Sequence, residues 1–268
     1  MGERGPRLSS LVILERDGSV AKILLNRPEA FNAFGLDMMS ELQDILIDLT
    51  SDEAVRAVVL SGAGKAFCAG GDIAWMDSFP AGPPAGIHLL AARFHVAVGE
   101  IRRMRKPVIA AINGAAAGGG FSLALACDFR VMERSAKLRQ AYTSSGLSMD
   151  GGGSFMLPRL VGLARALEIA AFDAPIDAEK ALAWGLATSL CGDGKSVDEA
   201  MSIAHVLAER SNSAFGMVKQ LMTDAFDASW ERHLEKEREG IAWSSGQPDG
   251  QEGIAAFLAK RKPVFGPN

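Results

Sequence analysis

No basic tract longer than a few residues occurs in the 268-residue chain, whose 28 Lys and Arg against 32 Asp and Glu leave a formal charge of -4. Nucleic acid, which calls for a concentrated positive surface, is not an expected partner. Cysteine is scarce. Cys68, Cys127 and Cys191 are too few and too far apart for a disulfide framework or a zinc knuckle, so a reducing cytoplasm is the expected setting. His88, His205 and His233 show no metal-ligand spacing with carboxylates, and no metal is expected. The first residues carry Glu3, Arg4 and Arg7 without a long apolar run, which argues against a secretory leader. One uncharged run, residues 108–127, has the length of a membrane span. Asn113 and the glycines around it interrupt that run, and Asp128 and Arg130 follow directly, so it reads as a buried strand, a glycine turn and a buried helix; no membrane attachment is expected.

What the chain does have is core. Hydrophobic residues make up 48% and charged residues 22%, enough for one large domain, or one domain with a helical appendage. Residues 11–14 and 20–25 flank Asp17-Gly18 and predict a hairpin. Leu36, Met39, Leu42, Leu46 and Leu49 recur at helical spacing. Short apolar strands are predicted at 55–60, 108–112, 129–132, 137–138 and 187–190, with helices at 87–104, 163–171 and 178–184. Residues 80–84 read as an irregular loop, a candidate lid. Nearly everything from 197 to 262 reads as helix. Strands and helices alternate through the first two thirds, an α/β pattern.

Two glycine-rich stretches, residues 67–72 and 112–120, each follow an apolar strand. Such loops let a ligand approach bare N–H groups, and two donors aimed at one oxygen make an oxyanion hole suited to a thioester carbonyl. Taken alone, either stretch reads first as tight packing. Neither spells a phosphate loop or a dinucleotide fingerprint, so nucleotide triphosphate and nicotinamide chemistry are poorly supported. Cys68 beside the first turn has no histidine near in sequence and reads as a small buried side chain. Asp150, before Gly151-Gly152-Gly153, reads from the residues alone as a helix cap.

Residues 25–28, 66–72, 107–120, 126–128, 157–162 and 253–265, in this order and at these separations, resemble the enoyl-CoA hydratase/isomerase (crotonase) superfamily over nearly the whole chain. Through Gln140-Ala141-Tyr142, Gly146-Leu147, the Asp150 loop and residues 257–265, the likeness is greatest to the ring-opening enoyl-CoA isomerases of the phenylacetate pathway. The resemblance implies a crotonase-like spiral of ββα units over residues 1–195. A C-terminal helical trimerisation region over residues 196–268 would assemble a homotrimer or a dimer of trimers. It implies an acyl-CoA thioester substrate, with coenzyme A as part of the substrate and no bound prosthetic group. Arg27, Ala30, Ala66, Ala69 and Ile73 are the implied CoA contacts, with Phe257 and Lys260 reaching a neighbouring subunit's CoA. Ala69 and Gly119 are the implied oxyanion donors.

Hydratases of the superfamily use two glutamates, at positions that here hold Ser122 and Tyr142. Hydration needs a base for water and an acid for carbon, which this pair does not supply near neutral pH. Asp150 is then the implied catalytic carboxylate, a lone proton shuttle for an isomerase. Met149, Phe155, Phe79 and Trp75 are candidate pocket walls. Tyr142 and His95 stand at, or next to, positions that hold helpers of a nucleophilic aspartate in the superfamily's dehalogenase. The leading reading is isomerisation of an unsaturated acyl-CoA, ring-derived acyl groups included. Hydration, thioester hydrolysis, dehalogenation and non-catalytic CoA binding remain as alternatives.

Overall fold

A turn at Gly18 folds strand β1 (Val12–Asp17) back on β2 (Val20–Leu25) as the predicted hairpin. The structure is a computed structural model, and it describes residues 10–266. Glu3, Arg4 and Arg7 lie outside the described residues. Helix α1 (Leu36–Ser51) buries Met39, Leu42, Leu46 and Leu49, the stripe its spacing predicts. Then comes a repeat. Strands β3 (Ala57–Gly62) and β4 (Ala66–Cys68) lead into α2 (Ile73–Asp77) and α3 (Pro83–Arg103). Strands β5 (Val108–Ile112) and β6 (Ala115–Ala117) lead into α4 (Gly119–Ala126), and β7 (Phe129–Glu133) and β8 (Lys137–Arg139) into α5 (Gly153–Val161) and α6 (Leu163–Phe172). Strand β9 (Ile176–Asp177), helix α7 (Ala178–Ala183) and β10 (Ser189–Cys191) close the repeat.

Each turn sends its first strand to one sheet and its second to another. The larger sheet runs β1-β2-β3-β5-β7-β10, parallel apart from the hairpin, and the smaller runs β4-β6-β8-β9. This is the α/β spiral of ββα units expected from the sequence. Strands β4 and β6, three residues each, were not predicted, because β4 runs into the first glycine stretch and β6 lies inside the second. Glycine is what lets successive turns of the spiral touch there. A Cβ on Gly120 would lie 2.0 Å from the Cys68 carbonyl oxygen, and one on Gly114 would lie 2.1 Å from that of Lys65. Helix α3 starts four residues before the predicted 87, because Pro83 and Pro84 occupy a first turn that needs no N–H donor. The candidate lid at 80–84 is a turn over residues 80–82 that runs into the first two residues of α3. The uncharged run 108–127 is β5, β6 and α4, and no helix of the described residues is long and apolar enough to cross a membrane.

Helices α8 (Ser196–Ala208), α9 (Asn212–Asp224), α10 (Trp230–Gly246) and α11 (Pro248–Leu258) complete the chain. Ala200, Ala204 and Ala208 of α8 seal the outer face of the larger sheet against Val20, Ala57, Val59, Ile109, Ala111 and Val131. The boundary expected after residue 195 thus runs inside a shared core: α8 packs as part of the spiral, whereas α9, α10 and α11 pack on one another. The guanidinium of Arg56 donates to the carbonyls of Ala208, Arg210 and Gly266, tying the helical region to the start of β3.

Candidate active site

Strands β4 and β6 pair in parallel, Ala66 with Ala115 and Cys68 with Ala116, so the two glycine loops leave the smaller sheet side by side. They touch: a Cβ on Gly70 would lie 2.9 Å from the Gly119 nitrogen. In the first loop the Ala69 N–H donates to the Phe31 carbonyl at 3.0 Å, and Asp72 N–H to that of Phe34 at 2.9 Å. Ala69 was the expected oxyanion donor, and its N–H is already committed. The Gly71 N–H, on the opposite side of the bridge to Phe34, has no protein acceptor among the described residues. In the second loop, Gly118 N–H donates to the Arg139 carbonyl, while Gly119 opens α4, where helix N–H groups have no partner upstream. The free pair is therefore Gly71 and Gly119. Sequence cannot separate Gly71 from Ala69, since the strand bridge decides which way each N–H points.

Both donors face a cavity of about 480 Å³. Its apolar wall includes Phe34, Met76, Ile87, Leu90, Phe94 and Leu147, with the Phe34 and Phe94 rings 4.9 Å apart. Ala69, Gly119, Tyr142, Asp150 and Ile73, all singled out from the sequence, line it. Trp75 does not. Asp72 caps α2 by accepting the Trp75 N–H, and the helix phase that follows turns Ile73 and Met76 to the cavity. Trp75 is turned away, against Phe79 and Gly35. It borders a second, smaller cavity with Arg27 and Asp72. Phe79, Met149 and Phe155 also stand off the main wall; Phe155 instead carries the Arg159 guanidinium 3.4 Å above its ring centre.

Of the implied CoA contacts, only Ala69 and Ile73 reach the main cavity. Arg27 pairs with Asp72 and donates to the Ala33 carbonyl, and Ala30 ends a short 3-10 turn at Pro28–Ala30. Ala66 is buried, its carbonyl holding the Asn32 side chain. Phe257, within α11 and 84% exposed, and Lys260, just after that helix in a left-handed conformation, do not line this cavity.

Asp150 is the one carboxylate lining the cavity among the described residues. It does not cap α5: the cap is Gly152, in a left-handed conformation, and no side chain bonds the helix start. Instead Asp150 Oδ1 accepts the Tyr142 hydroxyl at 2.7 Å, and Tyr142 in turn lies 3.0 Å from Ser122 Oγ. Ser122 sits behind Tyr142, buried and off the wall. His95 Nε2 accepts the Gly151 N–H at 3.2 Å and is 3.5 Å from Asp150 Oδ2. Tyr142 is delivered by Ala141, held in a left-handed conformation by its N–H bond to Asp173 Oδ1 at 2.7 Å. That part for Asp173 has no signal in the sequence beyond its place after Phe172.

Burial, with the Asp150 charge beside it, pushes the Tyr142 phenol far above its ordinary value, so it stays protonated. Burial also pushes the Cys68 thiol up to about 12, which leaves it no part as a nucleophile. Burial opposes the charge on Asp72, but Arg27 and the Trp75 N–H outweigh it and hold that carboxyl below the usual range. No group of three His, Cys, Asp or Glu among the described residues is placed to hold a metal ion. Two convergent N–H donors and one carboxylate across an apolar cavity suit removal of a proton next to a carbonyl, with the developing oxyanion held by the backbone.

The family model described as enoyl-CoA hydratase/isomerase matches residues 15–268. The chain is 35% identical over 259 residues to the 1,2-epoxyphenylacetyl-CoA isomerase of Escherichia coli (strain K12), covering 96% of this chain and 99% of that one. It is 33% identical to the crotonyl-CoA hydratase of Syntrophomonas wolfei, over 95% of this chain and 97% of the other. Among solved structures, an enoyl-CoA hydratase from Polaromonas sp. JS666 matches with a TM-score of 0.89 at 34% identity, covering 95% of this chain and 99% of its own. With the spiral fold and the paired glycine loops, these likenesses make the chain a member of the enoyl-CoA hydratase/isomerase family.

Proposed function

We propose that this enzyme isomerises an unsaturated acyl-CoA, with Asp150 carrying one proton between two carbons of the substrate. Family membership makes acyl-CoA thioester chemistry the frame. Within it, the observation that carries the reading is that Asp150 stands alone: no second carboxylate lines the cavity among the described residues. The thioester oxygen sits between the N–H groups of Gly71 and Gly119, each donor contributing about 2.7–4 kcal/mol as the enolate forms. Asp150 removes the proton next to the thioester, the electron pair moves into the enolate, and the same carboxyl returns the proton at the far end of the allylic system. One base and one oxyanion hole suffice. The Escherichia coli relative's name and the aromatic wall of Phe34 and Phe94 support a ring-derived acyl group.

Hydration is the second reading, and the relatives' names favour it: crotonyl-CoA hydratase and several enoyl-CoA hydratases stand among them. Product mass separates the two. Incubated with a 3-enoyl-CoA and a 2-enoyl-CoA, an isomerase gives unchanged mass with altered absorbance, and a hydratase adds one water. Asp150→Asn should keep CoA-ligand binding and reduce isomerisation by about 10²–10⁴. Full turnover in that variant overturns the assignment. A covalent acyl or aryl adduct trapped on Asp150 would replace the shuttle with a nucleophile.

A further inference from the structure

The two oxygens of Asp150 are not equivalent. Oδ1 accepts the Tyr142 hydroxyl at 2.7 Å. Oδ2 faces His95 Nε2 at 3.5 Å, but that nitrogen already accepts the Gly151 N–H, so it presents a lone pair rather than a proton. Oδ2 therefore receives no hydrogen bond from either neighbour. Resting on the reading of Asp150 as the shuttle, we infer that Tyr142, backed by Ser122, is a positioning residue that makes Asp150 a one-oxygen base: Oδ1 is held and Oδ2 alone exchanges the proton.

The direction of the hydrogen bonds follows from chemistry. An ionised carboxylate only accepts, so the single Tyr142 proton points to Oδ1, and Ser122 donates its own proton to the Tyr142 oxygen at 3.0 Å. Tyr142 is buried and its phenol is pushed far above its ordinary value, so it keeps that proton throughout the reaction. The strained left-handed Ala141 immediately before it is the kind of backbone conformation found where a side chain must be delivered to one place. In the reaction the proton leaves the carbon next to the thioester for Oδ2, the carbon–hydrogen electron pair enters the dienolate, and the Oδ2 proton then returns to the distal carbon. The two aligned hydroxyls fix the rotation of the carboxyl group about its bond to the chain.

The titratable groups facing Asp150 are Tyr142 on its own loop, His95 on α3, and His88 further along α3 in the cavity wall. No lysine or arginine lines the cavity among the described residues. Turnover of trans-3-hexenoyl-CoA by the native enzyme, Tyr142→Phe and Ser122→Ala tests the inference. In Tyr142→Phe, kcat should fall about tenfold or more with KM unchanged, because a hydrogen bond to a charged group is lost. Ser122→Ala, which leaves Tyr142 in place, should lower kcat in the same direction by less. Independently of turnover, Tyr142 is the chain's one tyrosine, so labelling tyrosine with ¹³C at Cζ gives a single resonance. That resonance should move in Asp150→Asn, which removes the carboxylate charge beside the phenol. An unmoved kcat in Tyr142→Phe, or a tyrosine resonance indifferent to Asp150→Asn, overturns the inference while leaving the shuttle intact. If instead the native enzyme leaves the probe unchanged, or Asp150→Asn turns it over fully, the shuttle reading fails, and the tyrosine resonance still decides whether the two side chains are coupled.

Discussion

Lys219 reaches from α9 into the spiral and sets its Nζ 2.8 Å from Asp128 Oδ2, with both side chains largely buried. The same carboxylate oxygen accepts the Val108 N–H at the start of β5, and Lys219 also donates to the Ile101 carbonyl. One ion pair thus links the helical region to the first residue of a central strand and to the end of α3.

Removing the lysine strands the carboxylate. Lys219→Met should destabilise the protein by about 3–5 kcal/mol in urea unfolding, since a buried charge loses its partner. Burial pushes the Asp128 carboxyl above its ordinary 3.8, against the pull of Lys219. For an acid raised in the folded state, stability is complete below the unfolded value and declines as pH rises through the folded one. The deficit of the variant should therefore be smaller near 3.8 than at neutral pH; a pH-independent deficit would contradict the account.

The choice between Gly71 and Ala69 as oxyanion donor can be made without adding a side chain. Replacing the Gly71 amide by an ester through semisynthesis removes the N–H alone, and turnover should fall by about 10²–10³. The same change at Ala69 breaks only its bond to the Phe31 carbonyl and should cost about 1 kcal/mol of stability with turnover within a few-fold. Equal kinetic losses at the two positions would sink the assignment.

At the chain's far end, the Arg261 guanidinium and then the Val264 N–H lower the Glu252 carboxyl from its ordinary 4.5 to about 2. A depressed acid stabilises the folded state above its unfolded value and loses that contribution as pH falls through the folded one. Amide exchange at Val264 should lose protection between 4.5 and about 2, after correction for the intrinsic rate. Glu252→Gln should show that weaker protection already at neutral pH.

Assembly should be visible in solution. Phe172, Met222, Phe226, Trp230, Phe257 and Leu258 are all at least 70% exposed, more apolar surface than a monomer ordinarily leaves to water. Light scattering at micromolar concentration should report at least three subunits. A clean monomer would remove the expectation that Phe257 and Lys260 serve a neighbour's CoA.

The parts of this protein legible in the sequence are those set by local pattern. The α1 stripe, the hairpin, strands β3, β5 and β7, and Asp150 as the carboxylate of interest all follow from spacing and resemblance. The errors share a cause: they concern which way a group points. Trp75 was assigned to the wall because it is large and apolar, yet the Asp72 cap sets a helix phase that turns it outward. Ala69 was assigned as a donor because the resemblance places one at the alanine of the first loop, yet a bond to Phe31 from a distant turn uses its N–H. Helix α8 was assigned to the appendage because the chain turns helical at residue 196, although its small residues fit the open face of the sheet. Tertiary partners decide each of these.

The crowding at Gly114 and Gly120 lies behind the cavity, in the backbone that carries the Gly71 and Gly119 loops, and sets that fixed side against walls that can change. Where the loops meet β4, a single methyl group would strike backbone oxygen, and backbone has no alternative rotamer to adopt. The opposite side is built from flexible or exposed side chains on α2, α3 and residues 145–148, among them Met76, Ile87 and Leu147. Diversification of the acyl group this scaffold accepts, in a laboratory library or across a lineage, has room on that second side alone. The chemistry is anchored where variation is lethal to packing, and selectivity is free to drift where it is not.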